Sequence, residues 1–165
     1  MTKFDVIYNS LCRDIIDNGK WQVGNSIRAK YVDGTPAPAK YNHGVYFTLE
    51  PDEVPVLTTK RVPRKDPLTE GEWIWQEMSN DVRWLQERGC KVWNNWELHD
   101  HTIGKAYGYQ LATKKRDTQG TLLNQVEFVI HELICNPSSR RIMTSLWCFE
   151  DLNEMALEPC VYETH

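Results

Sequence analysis

The sequence has no apolar run approaching the ~18 residues of a membrane span. Its first segment, MTKFDVIYNSLCRDII, carries acids where a secretory signal is basic and then apolar. It has no excess of positive charge: 19 Lys and Arg against 23 Asp and Glu leave a formal net of −4, which argues against a broad electrostatic footprint for nucleic acid. There is no CxxC, and the cysteines (Cys12, Cys90, Cys135, Cys148 and Cys160) are odd in number and widely spaced. That pattern is neither a disulfide framework nor a zinc ribbon, so reduced thiols in the cytoplasm are expected and no metal is. No repeat or low-complexity segment is present. With 7 Trp, 7 Tyr and 4 Phe, the chain is too rich in core-forming residues to be disordered.

What is there fits one domain over 1–165, since a chain of this length buries about two-thirds of its unfolded surface. Phe4, Ile7, Leu11, Ile15 and Ile16 recur at helical spacing, and Asn18-Gly19 supplies a stop. Extended segments are expected over 21–31 and 41–49, and an extended or loop segment over 54–60, with a turn-rich loop at Asp33-Gly34-Thr35-Pro36. Helices are expected over 69–78 and 79–88, the second stopped by Gly89. An amphipathic helix is expected over 122–134, with Val126, Val129, Ile130, Leu133 and Ile134 on one face. A strand over 141–149, a short helix over 150–155 and a β-like end at 160–164 complete the pattern. Helices and strands mix without regular βαβ spacing, which favours an α+β fold.

Four features could carry chemistry. Cys160 follows Glu158-Pro159 and opens the last β-like segment, so its thiol could face a pocket. Nearby arginines are one way to lower a thiol pKa, although a buried inert thiol is the common alternative. Arg140 and Arg141 stand in tandem after a helix stop. Guanidinium forks clamp phosphate, but neighbours entering a strand point to opposite faces, and a solvated basic pair is the plainer reading. Trp73, Trp75, Trp84, Trp93 and Trp96 crowd one stretch, as a wall for a flat heterocycle or simply as core. Glu70 could be a general acid or base if buried, but Thr69-Glu70-Gly71-Glu72 also fits a helix capping box.

Taken in chain order, these segments resemble thymidylate synthase. The markers are Leu57-Thr58-Thr59-Lys60, Glu70-x-x-Trp73, Val92-Trp93-Asn94-Asn95-Trp96 and Gly104-Lys105-Ala106-Tyr107-Gly108-Tyr109-Gln110. Asn136-Pro137-Ser138-Ser139-Arg140-Arg141 and Met155-Ala156-Leu157-Glu158-Pro159-Cys160 follow. Each alone is weak; six in order span nearly the whole chain. Trp73–Gln76 and Ser79–Val82 look like the bacteriophage and Bacillus-type branch.

The resemblance implies a thymidylate synthase-like α+β fold whose mixed sheet forms a homodimer interface. It implies conversion of dUMP to dTMP, with 5,10-methylenetetrahydrofolate as one-carbon and hydride donor. Cys160 then matches the nucleophile that adds to C6 of uracil, splitting one difficult substitution into accessible steps. Glu70 matches the glutamate that organises proton transfers, and Tyr107 a tyrosine implicated in proton removal at C5. Arg28 matches a phosphate arginine, and Arg140 and Arg141 the pair that reaches the partner subunit's nucleotide. Trp93 and Trp96 match the folate side.

The sequence departs from the family pattern at Glu158 and Val161, where proline and histidine are usual. It departs again at Asn94-Asn95, usually Asp-Glu, and at Gly71-Glu72, usually Leu-Leu. The family's Gln-Arg-Ser, pyrimidine-reading Asp and Asn, and His-x-Tyr segments are not in these 165 residues. The chain is therefore expected to be the N-terminal portion of a longer domain, with weak or no turnover by itself. Two alternatives stand beside methylation: a deoxypyrimidine monophosphate hydroxymethylase of the same fold, and a catalytically silent fragment.

Overall fold

The computed structural model describes residues 1–24 and 27–165. Two compact units divide the chain, 1–62 and 63–165.

The first unit is organised by α1 (Lys3–Asn18), which starts on a reciprocal capping box. The Asp5 amide donates to Thr2 Oγ1 (3.1 Å), and the Thr2 amide donates to Asp5 Oδ2 (2.8 Å). Asp5 is fully buried because its carboxylate also serves a distant segment. It accepts from the Thr58 amide (2.8 Å) and hydroxyl, and from the Thr59 hydroxyl (3.3 Å). The Leu57–Lys60 segment is thereby closed onto the helix start. Lys60 adds its ammonium over the Tyr8 ring, 5.3 Å from the centroid. Gly19 ends α1, its amide donating to Ile15 O (3.0 Å).

Of the extended segments expected here, only β1 (Lys20–Trp21) and β2 (Lys40–Tyr41) pair, antiparallel. The remainder of 41–49 is irregular: Gly44 turns the chain at φ +72°, and Tyr46 stands out in solvent. Phe47 packs instead on Phe4, ring centroids 6.1 Å apart.

In the second unit, α2 (Lys65–Gly71) runs directly into a π-helical turn over Glu72–Gln76. Thr69 therefore sits inside a helix, its hydroxyl donating back to Lys65 O (3.0 Å). The capping-box reading of Thr69–Glu72 fails for that reason. α3 (Val82–Glu87) is capped by Asp81, and Gly89 ends it at φ +77°. A 3₁₀ turn (Asn94–Trp96) and α4 (Gly108–Thr113) follow.

β3 (Arg116–Thr118) and β4 (Thr121–Leu123) form a hairpin whose two-residue turn, Gln119-Gly120, has positive φ at both positions. Leu122 and Leu123 thus belong to a strand, and α5 (Gln125–Cys135) starts later than its apolar pattern suggests, on an Asn124–Glu127 capping box. Its apolar stripe is only partly covered, with Ile130, Leu133 and Ile134 exposed. The strand expected over 141–149 shrinks to β5 (Thr144–Ser145), which pairs antiparallel with β6 (Glu163–Thr164). A 3₁₀ helix over Phe149–Glu154 lies between them.

The core of this unit gathers Trp73, Val82, Leu85, Cys90, Ile103, Leu111 and Leu146, all fully buried. Trp73 satisfies its indole N–H on Asp81 O (3.0 Å). Among the described residues, no helix is long and apolar enough to cross a membrane.

Candidate active site

Two glycines fix where Tyr107 stands. A Cβ on Gly104 would lie 2.0 Å from Glu154 O, and one on Gly108 would lie 2.2 Å from Ser79 O. Only backbone without a side chain fits those approaches, so Tyr107 is pinned between two tight contacts. It is held at φ +43°, ψ −102°, a sparsely populated conformation for a bulky residue. Such strain costs on the order of 1–3 kcal/mol and persists only where the surroundings impose it. The phenol is 5% exposed.

Its hydroxyl accepts a hydrogen bond from the Cys160 backbone amide at 2.9 Å. Burial pushes the phenol above its ordinary pKa; the neighbouring Cys160 thiol adds to that, and the Cys160 and Val161 amides act the other way. Tyr107 is therefore a neutral hydroxyl at neutral pH.

Cys160 and Tyr107 open onto a cleft of ≈ 480 Å³, whose walls also include Glu70, Gly71, Ile74, Trp93, Trp96 and Leu157. That size suits a small ligand. Trp93 is the centre of the aromatic wall: edge-on to Tyr107 (5.5 Å) and to Trp96 (5.7 Å), and tilted on Trp73 (6.1 Å). Its indole N–H donates to Glu70 Oε1 at 2.6 Å, which aims the carboxylate along the wall. The crowd of tryptophans thus divides. Trp73 is core, Trp84 stacks under Arg88 (3.5 Å), and Trp93 and Trp96 line the cleft.

The arrangement brings an exposed thiol, a buried phenol, a carboxylate and a partly exposed aromatic face around one cavity. Five of the sequence-predicted site residues meet there: Cys160, Tyr107, Glu70, Trp93 and Trp96. The partly exposed Trp96 and the apolar lining offer a stacking surface for a flat heterocycle.

Arg140 and Arg141 do not line this cleft. They occupy the turn after α5, where the Arg141 amide donates to Ser139 Oγ (3.2 Å). Because this is a turn and not a strand, both arginines face one second cleft of ≈ 440 Å³. Lys114, Lys115 and Arg116 share it, and Arg116 lies over the Phe128 ring (4.6 Å). These three were not singled out from the sequence; the signal that could have found them is the unbroken basic run Lys114-Lys115-Arg116 between α4 and β3. Arg28 belongs to the first unit and is exposed. Among the described residues, no group of three or more His, Cys, Asp or Glu side chains is placed to hold a metal ion.

The family model described as thymidylate synthase matches residues 6–165. The chain belongs to the thymidylate synthase family. It is 47% identical over 165 residues to the thymidylate synthase of Bacillus phage phi3T, and 46% identical to that of Bacillus subtilis subsp. natto. Each alignment covers 99% of this chain and 59% of the relative. Among solved structures, the thermostable thymidylate synthase A from Bacillus subtilis superposes with a TM-score of 0.91 at 45% identity. That match covers 98% of this chain and 59% of the other. The α+β fold is thus that of the family, and the chain spans somewhat under two-thirds of the length of these relatives.

Proposed function

We propose that this chain forms the nucleophile-bearing part of a thymidylate synthase site that methylates dUMP, acting in the cytoplasm as a homodimer. The observation that carries the reading is the Cys160–Tyr107 hydrogen bond at the mouth of an aromatic cleft that also holds Glu70.

The residues divide the chemistry among them. The Cys160 thiolate adds to C6 of the uracil ring; the S–C6 bond forms and the C5–C6 π electrons move to make C5 an enolate-like nucleophile. Tyr107, kept neutral by burial, stands beside that sulfur as a hydroxyl partner for removal of the C5 proton. Glu70, aimed by Trp93, orders water and proton traffic along the wall. Trp93 and Trp96 offer the folate side an aromatic face and keep bulk water from the reacting carbon. When bound, 5,10-methylenetetrahydrofolate supplies the one-carbon unit and the hydride. Arg28, and Arg140 and Arg141 acting in trans, take the nucleotide phosphate as guanidinium forks. The tandem pair's place on a cleft separate from Cys160 favours the trans arrangement.

A hydroxymethylase on the same fold is the second reading; the packing of Trp93 on Tyr107 and Trp96 favours methylation over it, since an aromatic wall on the folate side limits the access of water to the intermediate. Release of tritium from 5-tritiated dUMP, with dihydrofolate followed by absorbance, separates the two. Both signals together mark the synthase, and tritium alone marks the hydroxymethylase. Whatever turnover the chain sustains is expected to vanish in Cys160→Ser; turnover undiminished by that change overturns the proposal.

A further inference from the structure

Asp151 lies in the 3₁₀ helix that leads toward Cys160, and it is 6% exposed. Three donors from the segment that carries Tyr107 reach its carboxylate. Gln110 Nε2 donates to Oδ2 at 2.9 Å, Lys114 Nζ approaches Oδ2 at 2.8 Å, and Lys105 Nζ approaches Oδ1 at 3.2 Å. These donors bracket Tyr107: Lys105 precedes it, Gln110 follows it within α4, and Lys114 stands at the helix end. Gln110, fully buried, also donates to Lys105 O (2.8 Å), closing the turn around Tyr107. The Gln110 amide and the Lys114 ammonium hold the Asp151 carboxyl well below the ordinary range, so it is charged at neutral pH.

The same two segments are clipped together by backbone. The Lys105 amide donates to Glu154 O (3.0 Å), and the Ala156 amide donates to Ile103 O (3.1 Å). Tyr107, in its strained conformation, needs such outside support. The Asp151 carboxylate gives it, reaching Lys105 on one side of Tyr107 and Gln110 and Lys114 on the other.

We propose that Asp151 is a positioning residue of the Cys160 site: its buried carboxylate clamps Lys105, Gln110 and Lys114, and so keeps the Tyr107 hydroxyl on the Cys160 amide. This rests on Cys160 and Tyr107 being the reacting pair. Asp151 touches neither; it acts by holding the two chain segments that carry them in register.

The test reads Cys160 directly. Iodoacetamide alkylation is followed peptide by peptide in the full chain, with exposed Cys135 as internal reference. Asp151→Asn is expected to change the Cys160/Cys135 rate ratio by about twofold or more, the lower end of coupling between groups in one network. Tyr107→Phe shifts it in the same direction, and the double variant shifts it no further than Tyr107→Phe alone. An unchanged ratio in folded Asp151→Asn, or effects that multiply in the double variant, overturns the proposal. If Asp151→Asn does not fold, Lys114→Gln, at an exposed lysine, removes one donor and faces the same criteria. Slowing of Cys160 alkylation by dUMP is measured in the same run. Its absence counts against the methylation reading, whereas non-additivity with Tyr107 decides the Asp151 role.

Discussion

The Cys160 amide donates to the Tyr107 hydroxyl at 2.9 Å across 53 residues of sequence. The bond ties the thiol's backbone to a phenol that is itself immobilised by two glycine contacts and a buried carboxylate clamp. Removing it in Tyr107→Phe leaves the Cys160 amide without this partner. That change is expected to cost about 0.5–1.5 kcal/mol of stability and to lower any tritium release far more than stability. Denaturant melts beside the release assay check it, and equal small losses in both contradict it.

Gly108 and Gly71 make opposite predictions. In Gly108→Ala the new Cβ meets Ser79 O at 2.2 Å, so stability falls by at least about 1–3 kcal/mol and Cys160 reactivity changes with it. At Gly71, within α2, nothing lies within 4 Å of an added Cβ. Gly71→Ala is therefore expected to stabilise by about 0.5–1 kcal/mol. Urea midpoints of the two variants decide, and a stabilised Gly108→Ala contradicts the packing.

Trp93 and Trp96 separate by role. Trp93→Phe keeps an aromatic wall but removes the indole donor from Glu70, a bond to a carboxylate worth about 1.5–3 kcal/mol. Trp96→Ala removes only the stacking face. Folate binding, followed by quenching of tryptophan fluorescence, is expected to weaken in both, whereas Cys160 alkylation is unchanged in Trp96→Ala. Loss of thiol reactivity in Trp96→Ala contradicts the division.

Acid acts on the first unit through Asp5. The Thr58 hydroxyl, together with the Thr2 and Thr58 amides, holds the Asp5 carboxyl well below its ordinary value even though it is buried. The folded pKa is thus below the unfolded one of about 3.9. The stabilisation is complete above that value and is lost as pH falls below it toward the folded pKa. Asp5→Asn is expected to melt lower than the parent at pH 7, with the difference shrinking below about pH 4. Melting curves taken from neutral pH down into that acid range check this; a difference that grows in acid contradicts it.

The site and the fold differed in how far they could be read from sequence. α1 was legible because its apolar spacing, Gly19 stop and solvent face all agree. The strands over 41–49 and 141–149 were not, because β-rich composition forms a ladder only where a partner strand arrives, and here only Tyr41 of the first and Thr144 and Ser145 of the second pair. Thr69–Glu72 shows the same limit: a capping pattern is local, but α2 begins four residues earlier and carries straight through it. Neither spacing nor composition brings Glu70, Tyr107 and Cys160 together; only the ordered family motifs did. Asp151 carries no mark in the sequence, because Glu150 and Glu154 beside it make it look like one more acid of a solvated turn, and it is in contact with Gln110 of α4 and with Lys114 at that helix's end.

The most direct measurement is peptide-resolved alkylation of Cys160 with and without millimolar dUMP, using inorganic phosphate as control. If Cys160 is the nucleophile of a dUMP site, dUMP slows its alkylation by about half or more, while Cys135 and Cys12 are untouched and phosphate has little effect. Alkylation of Cys160 at the same rate with and without the nucleotide contradicts the account.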